Sequence, residues 1–214
     1  MNRTRWLAWA LLPMGLACDR DPRDRDPAIT KLQIELMTRI TADQAIRDTV
    51  FSKGIALDPM TISRMEQVDR DNTSWLKDQI RQHGWPSAAK VGKTASDAAL
   101  LIVQHAVHDR PFQRMALDTV TKLFEKGEVE GRAFALLYDR VKTQGGEKQR
   151  YGTQAKMNDR QITFDPMEDS ANVDSLRKTV GLPPLAVYRR TLDSVYLGKT
   201  QPEPVERPSK GKKK

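Results

Sequence analysis

The chain has 214 residues, 38% of them hydrophobic and 30% charged, with a formal net charge of +8 at pH 7 and a single cysteine. That length suits one domain with its own core, and one cysteine excludes internal disulfides and any site built on several thiolates. The basic excess sits largely at the two ends and leaves the stretch between them nearly neutral, so no nucleic-acid partner is expected.

Arg3 and Arg5 precede an apolar run, WLAWALLPMGLA at 6–17, that ends at Cys18. The run is too short to cross a bilayer, which takes about 20 apolar residues, and has the layout of an export signal. MGLAC at 14–18 resembles the lipobox of bacterial lipoproteins, although Gly15 stands where leucine is commonest. That resemblance implies a signal peptide over 1–17 and acylation of Cys18. It also implies a lipid-anchored location in the cell envelope, facing outside the cytoplasm. The competing reading is a cleaved secretory signal with an incidental cysteine. Residues 18–27, with alternating charges and two prolines, read as a solvated tether between this cysteine and the fold. At the other end, 198–214 is rich in proline and lysine without apolar periodicity. It reads as a disordered basic tail suited to anionic lipid or cell-wall polymer.

Between tether and tail, 28–197 reads as one mainly α-helical domain of about six or seven helices with one small β-hairpin near 149–165. Ile29, Leu32, Leu36 and Ile40 recur at helical spacing and predict a first helix over 29–48. Asp58 and Pro59 form a start signal for a second, which carries Met65, Val68, Leu76 and Ile80 and ends at Gly84. Thr94 opens a third through Ala98, Leu101 and His105. Pro111 starts a fourth, and Glu130 to about Val141 a fifth. The period then changes, and 149–157 with 161–165 read as extended segments around a turn at Asn158. Ser170 is the expected cap of a further helix ending at Gly181, and Pro184 opens the last.

Several polar residues fall on the apolar stripes of these helices. Asp43 and Arg47 continue Leu36 and Ile40; Asp69 and Asn72 lie between Met65 and Leu76; Gln104 and His105 follow Leu101; Asp139 and Arg140 follow an apolar segment. Unpaired buried polar groups cost roughly 1–3 kcal/mol each, so these are expected to pair with one another or to line a wet cavity. His105, with an ordinary pKa near neutrality, is the candidate catalytic acid or base, with Asp69 or Asp139 to orient it. Arg140 or Arg47 suits a carboxylate or phosphate. Asn72, Gln104, Gln149, Tyr151, Thr153 and Gln154 are candidate ligand contacts. The alternatives are a core histidine with satisfied nitrogens and a structural Asp139–Arg140 ion pair. His105 and His108 with Asp109 have part of a metal-ligand spacing, but only His83 remains to complete it; neither a metal nor a cofactor is assigned.

The ordered pieces Asp69 to Asn72, GWP at 84–86, QHA at 104–106, Asp139-Arg140, QRYGTQ at 149–154 and Arg177 to Leu182 resemble a bacterial family of domains of unknown function. The resemblance covers about residues 30–190. It implies a common fold and a common site without an activity. Two readings of function remain: an envelope hydrolase or transferase using His105, or a non-catalytic lipoprotein that binds a small ligand or an envelope partner.

Overall fold

The computed structural model describes residues 26–52, 59–158 and 161–197, together with the backbone of Arg5–Trp6. Cys18, most of the tether, Asp58 and the basic tail lie outside the described residues. The domain is mainly α-helical, as the sequence predicts. Among the described residues, eight helices and three short strands follow in the order β1 (Arg5–Trp6), α1 (Pro27–Ser52), α2 (Pro59–His83), α3 (Ala88–Val91), α4 (Lys93–His105), α5 (Arg110–Glu125), α6 (Gly131–Gln144), β2 (Ala155–Asn158), β3 (Gln161–Phe164), α7 (Val173–Thr179) and α8 (Leu185–Leu197).

Helix starts follow local chemistry. Asp26 accepts a hydrogen bond from the Ala28 amide at 2.9 Å, and Pro27, which has no N–H to leave unsatisfied, opens α1. The charged tether therefore hands over to helix two residues earlier than periodicity alone predicts. Asp109 caps α5 by accepting from the Phe112 amide at 3.0 Å, with Pro111 in the first turn. The short α3 was not foreseen, because four residues between Pro86 and Gly92 show no periodicity.

The centre of the core is α4. Ala95, Ala98, Ala99, Leu100, Ile102 and Val103 are all buried, and α1, α2, α5 and α6 pack around it. Its small residues leave room for close helix approach, and Leu32, Leu36, Leu76, Phe112, Ala116, Val120 and Leu137 fill the space between neighbours. A second, smaller cluster joins the hairpin to α8 through Ala155, Ile162, Leu192 and Leu197. The hairpin pairs Ala155 with Phe164 and Asn158 with Gln161 in antiparallel register, and Arg5–Trp6 lies antiparallel along β2.

The stretch 149–154 is not strand. It is a looped segment joined to the 165–168 region by Gln149, whose amide donates to the Pro166 carbonyl and whose carbonyl accepts from the Glu168 amide. The start of α7 also moves: the cap position is Asn172 rather than Ser170.

Candidate functional site

Four helices direct polar side chains to one place, each through a polar position on an otherwise apolar stripe. Helix α1 supplies Asp43 and Arg47, one turn apart and one turn beyond Ile40. Helix α2 supplies Asp69 and Asn72, the last turn of α4 supplies Gln104 and His105, and α6 supplies Arg140. All of these except Arg47 are buried, and Arg47 is nearly so.

Asp43 and His105 form the heart of the cluster. His105 Nδ1 lies 3.0 Å from Asp43 Oδ1. Arg47 Nε is 3.1 Å from the same ring nitrogen and 3.2 Å from the same carboxylate oxygen. One nitrogen cannot accept from Arg47 and donate to Asp43 at once. With the carboxylate ionised, a bare Nδ1 would face Asp43 lone pair to lone pair. Nδ1 therefore carries the proton and donates it to Asp43, and the Arg47 N–H also turns to the carboxylate. The lone pair is left on Nε2, which is buried and without a hydrogen-bond partner. Arg47 reaches across to α2 as well, where its Nη2 donates to Asp69 Oδ1.

Electrostatics follow from this packing. Burial holds His105 down to about 4, with the charges of Arg47 and Arg140 acting in the same sense against the pull of Asp43, so the ring is neutral at pH 7. Burial works to raise Asp43, but the hydrogen bond to His105 and the Arg47 charge outweigh it and keep the carboxyl below its usual range. Asp69 goes the other way, to about 6, through burial and the nearby Asp43 charge. Burial lowers Arg140 to about 10, which leaves it charged at neutral pH.

Arg140 holds the end of α4. Its Nη1 donates to the Gln104 carbonyl at 3.1 Å, while Gln113 Nε2 donates to the Val103 carbonyl at 2.8 Å. The Val103 carbonyl also accepts from the Ala106 amide, and the two side chains together fix the turn that carries His105. Arg140 forms no ion pair with a described carboxylate, and its Nε, like Gln104 Oε1 and Asn72 Nδ2, is buried without a partner. The Asn72 carbonyl oxygen is held by Arg39 Nη1 at 3.2 Å.

Sequence reasoning named Asp69 or Asp139 as the group that orients His105, and the carboxylate that reaches the ring is Asp43. The signal was present, since Asp43 and Arg47 share a polar i, i+4 pair on a core-facing stripe. Asp69 stands in the cluster through Arg47. Asp139 does something different. Its carboxylate accepts from the amides of Arg150 at 2.8 Å, Tyr151 at 3.1 Å and Thr153 at 3.0 Å, and from the Thr153 hydroxyl at 2.9 Å. It is not ion-paired to Arg140. Instead it is the hub around which 150–153 is wound.

The other candidates in that loop are occupied similarly. Gln149 donates to the carbonyls of Gln154 and Asp165 and accepts from the Gln154 amide. Tyr151 packs its ring edge-on against Phe134 and Tyr138. Gln154 Nε2 donates to the Thr153 hydroxyl oxygen, and Gln154 Oε1 has no partner. From outside, Arg177 donates to the carbonyls of Tyr151, Gly152 and Pro183. Gly152 has φ of +64°, and a Cβ there would come within 3.0 Å of the Leu185 side chain, so glycine is required.

Asp43, Asp69 and His105 each offer a ligand atom, all within 4.8 Å of one another, the one such group among the described residues. Arg47 is bonded to both carboxylates and lies against the ring, so its guanidinium supplies the positive charge a metal ion would bring, and an ion would have to expel it. The histidine pair considered from sequence does not assemble: His105 is buried while His108 is exposed, and Asp109 is engaged by Phe112 and Lys77.

A family model described as a family of unknown function (DUF6624) matches residues 30–201. No curated protein and no solved structure matches the chain. The chain belongs to the DUF6624 family.

Proposed function

We propose that this member of the DUF6624 family is an exported, lipid-anchored protein of the bacterial cell envelope, whose Asp43–His105 pair is an acid/base centre for a hydrolase or transferase reaction. The carrying observation is that the cluster is closed yet incomplete. A purely structural network satisfies its own buried polar atoms, because each one left unmet costs about 1–3 kcal/mol. Of the ten such atoms among the described residues, three come together at the C-terminal end of α4: His105 Nε2, Gln104 Oε1 and the Nε of Arg140, whose Nη1 donates to the Gln104 carbonyl.

In this reading Asp43 holds the Nδ1 proton, and Nε2 takes a proton from a substrate hydroxyl or a water and returns it to the leaving group. Asp43 stabilises the imidazolium formed in between. The anchoring part of the proposal rests on the charged start, the short apolar run and Cys18. Loss of residues 1–17 on processing would remove the two-residue pairing of β1, while β2 and β3 keep all four of their own register pairs.

The second reading, a binding protein without catalysis, is favoured by the burial of Nε2, because a reacting nitrogen must be reached. A direct test is carbethoxylation of the full-length protein in detergent at pH 7, mapped by peptide mass spectrometry. A breathing acid/base centre gives modification at His105 that Asp43→Asn slows. An unmodified His105, with His83 and His108 fully labelled, would sink the catalytic reading.

A further inference from the structure

Arg140 is the cation in the cluster whose partners do not account for its charge. Arg47 has two carboxylates in direct contact, Asp43 and Asp69. Arg140 is 4% exposed and donates one hydrogen bond to the Gln104 carbonyl, with Nε unpartnered. The C-terminal end of α4 offers it only the partial negative charge of a helix terminus. The other buried arginine among the described residues, Arg177, also has one nitrogen, Nη2, without a partner, but it donates to three carbonyl oxygens and lies over the Tyr188 ring, 4.9 Å from its centre.

We propose that Arg140 anchors a ligand or substrate carboxylate of single negative charge, seated beside His105 at the C-terminal end of α4. This deepens the acid/base reading above and rests on it. A guanidinium fork matches a planar carboxylate with two parallel N–H donors. Gln104 Oε1, and its amide nitrogen, whose contact with the Ala133 carbonyl is long at 3.5 Å, stand ready for a polar group on the same ligand.

Charge decides between a carboxylate and a phosphate dianion. Asp43 and Arg47 from α1, Asp69 from α2 and Arg140 from α6 sum to neutrality around a neutral His105, with the Tyr188 and Tyr196 phenols of α8 nearby. An incoming monoanion is compensated by uptake of one proton, for which Asp69 is the readiest group and His105 the next. A dianion requires two protons in the same buried space. Bound carboxylate also offsets the Arg140 charge that disfavours imidazolium, so ligand binding lifts His105 towards the range where it works as a base.

The test uses the full-length protein in detergent with formate as the probe, titrated against chloride at constant ionic strength. The His105 ring is followed by 15N NMR and the thermal midpoint is measured in parallel. Formate is expected to shift the ring resonances saturably, to raise the pH at which His105 protonates, and to bind more tightly at pH 5.5 than at pH 7. Arg140→Gln should weaken it at least about tenfold, the value of a charge-assisted pair. A response no larger than that to chloride overturns the proposal, and this wild-type comparison stands whether or not the variant folds. Tighter binding of inorganic phosphate than of formate overturns the single-charge assignment. If His105 protonates freely but ignores formate, the carboxylate site falls and the acid/base reading survives. If formate raises the thermal midpoint through Arg140 while His105 never titrates, the site stands and the acid/base reading falls.

Discussion

Two residues of the cluster respond to pH in opposite directions across nearly the same interval. His105 falls from 6.5 to about 4 on folding, so the unfolded chain binds the extra proton and acidification through that window destabilises the fold. Asp69 rises from 3.8 to about 6, so the folded chain binds the extra proton and the same acidification stabilises it. Each shift corresponds to roughly 3 kcal/mol, and the two effects nearly cancel. Urea unfolding of the wild type should show little pH dependence from this pair between pH 6 and pH 4. Asp69→Asn removes one side of the balance, and its stability should fall on acidification by about 3 kcal/mol more than that of the wild type. An unchanged slope would mean that the Asp69 carboxyl is not raised in the folded chain. At Asp139, replacement by alanine strands three amides of the 150–153 loop, those of Tyr151 and Thr153 buried and that of Arg150 half-buried. The expected loss is about 3 kcal/mol or more in urea unfolding, with faster amide exchange confined to that loop.

The elements were legible where packing follows periodicity and obscure where it follows tertiary contacts. Helices α1, α2, α4, α5, α6 and α8 carry apolar residues at three- and four-residue spacing, and the starts of α1, α2, α5 and α8 carry proline or aspartate signals that act locally. The segment 149–154 reads as extended because helical periodicity stops before it. Its shape is set instead by Asp139 from α6 and Arg177 from α7, which no local pattern encodes. Gly131 is similar. It looks like an ordinary helix start, yet a Cβ there would meet the Val180 backbone at 2.7 to 2.9 Å. Gly131→Ala should therefore force α6 and the end of α7 apart and cost about 1–3 kcal/mol in chemical unfolding, despite the better helix propensity of alanine. A neutral or stabilising result would mean that this junction is loose.

Across the whole molecule, the sequence identified which helices contribute to the cluster but not which carboxylate meets His105. Asp43 sits on an inward stripe like the two expected carboxylates, Asp69 and Asp139, and only the relative rotation and depth of α1, α2 and α6 distinguishes them. The same packing assigns Asp139 to the loop, Asp43 to the imidazole and Asp69 to Arg47. The proposed lipid anchor belongs to this scale as well: if Cys18 carries it, Cys18→Ala should move the protein from the membrane fraction to the soluble envelope fraction and abolish labelling by palmitate. Retention on the membrane without Cys18 would require a different anchor.

The most direct single measurement is the ring 15N chemical shift of His105 in the full-length protein as a function of pH. A neutral ring with its proton on Nδ1 at pH 7, protonating only near pH 4, is the predicted result. A ring carrying its proton on Nε2, or protonating near 6.5, would contradict the Asp43–His105 arrangement on which the proposed chemistry depends.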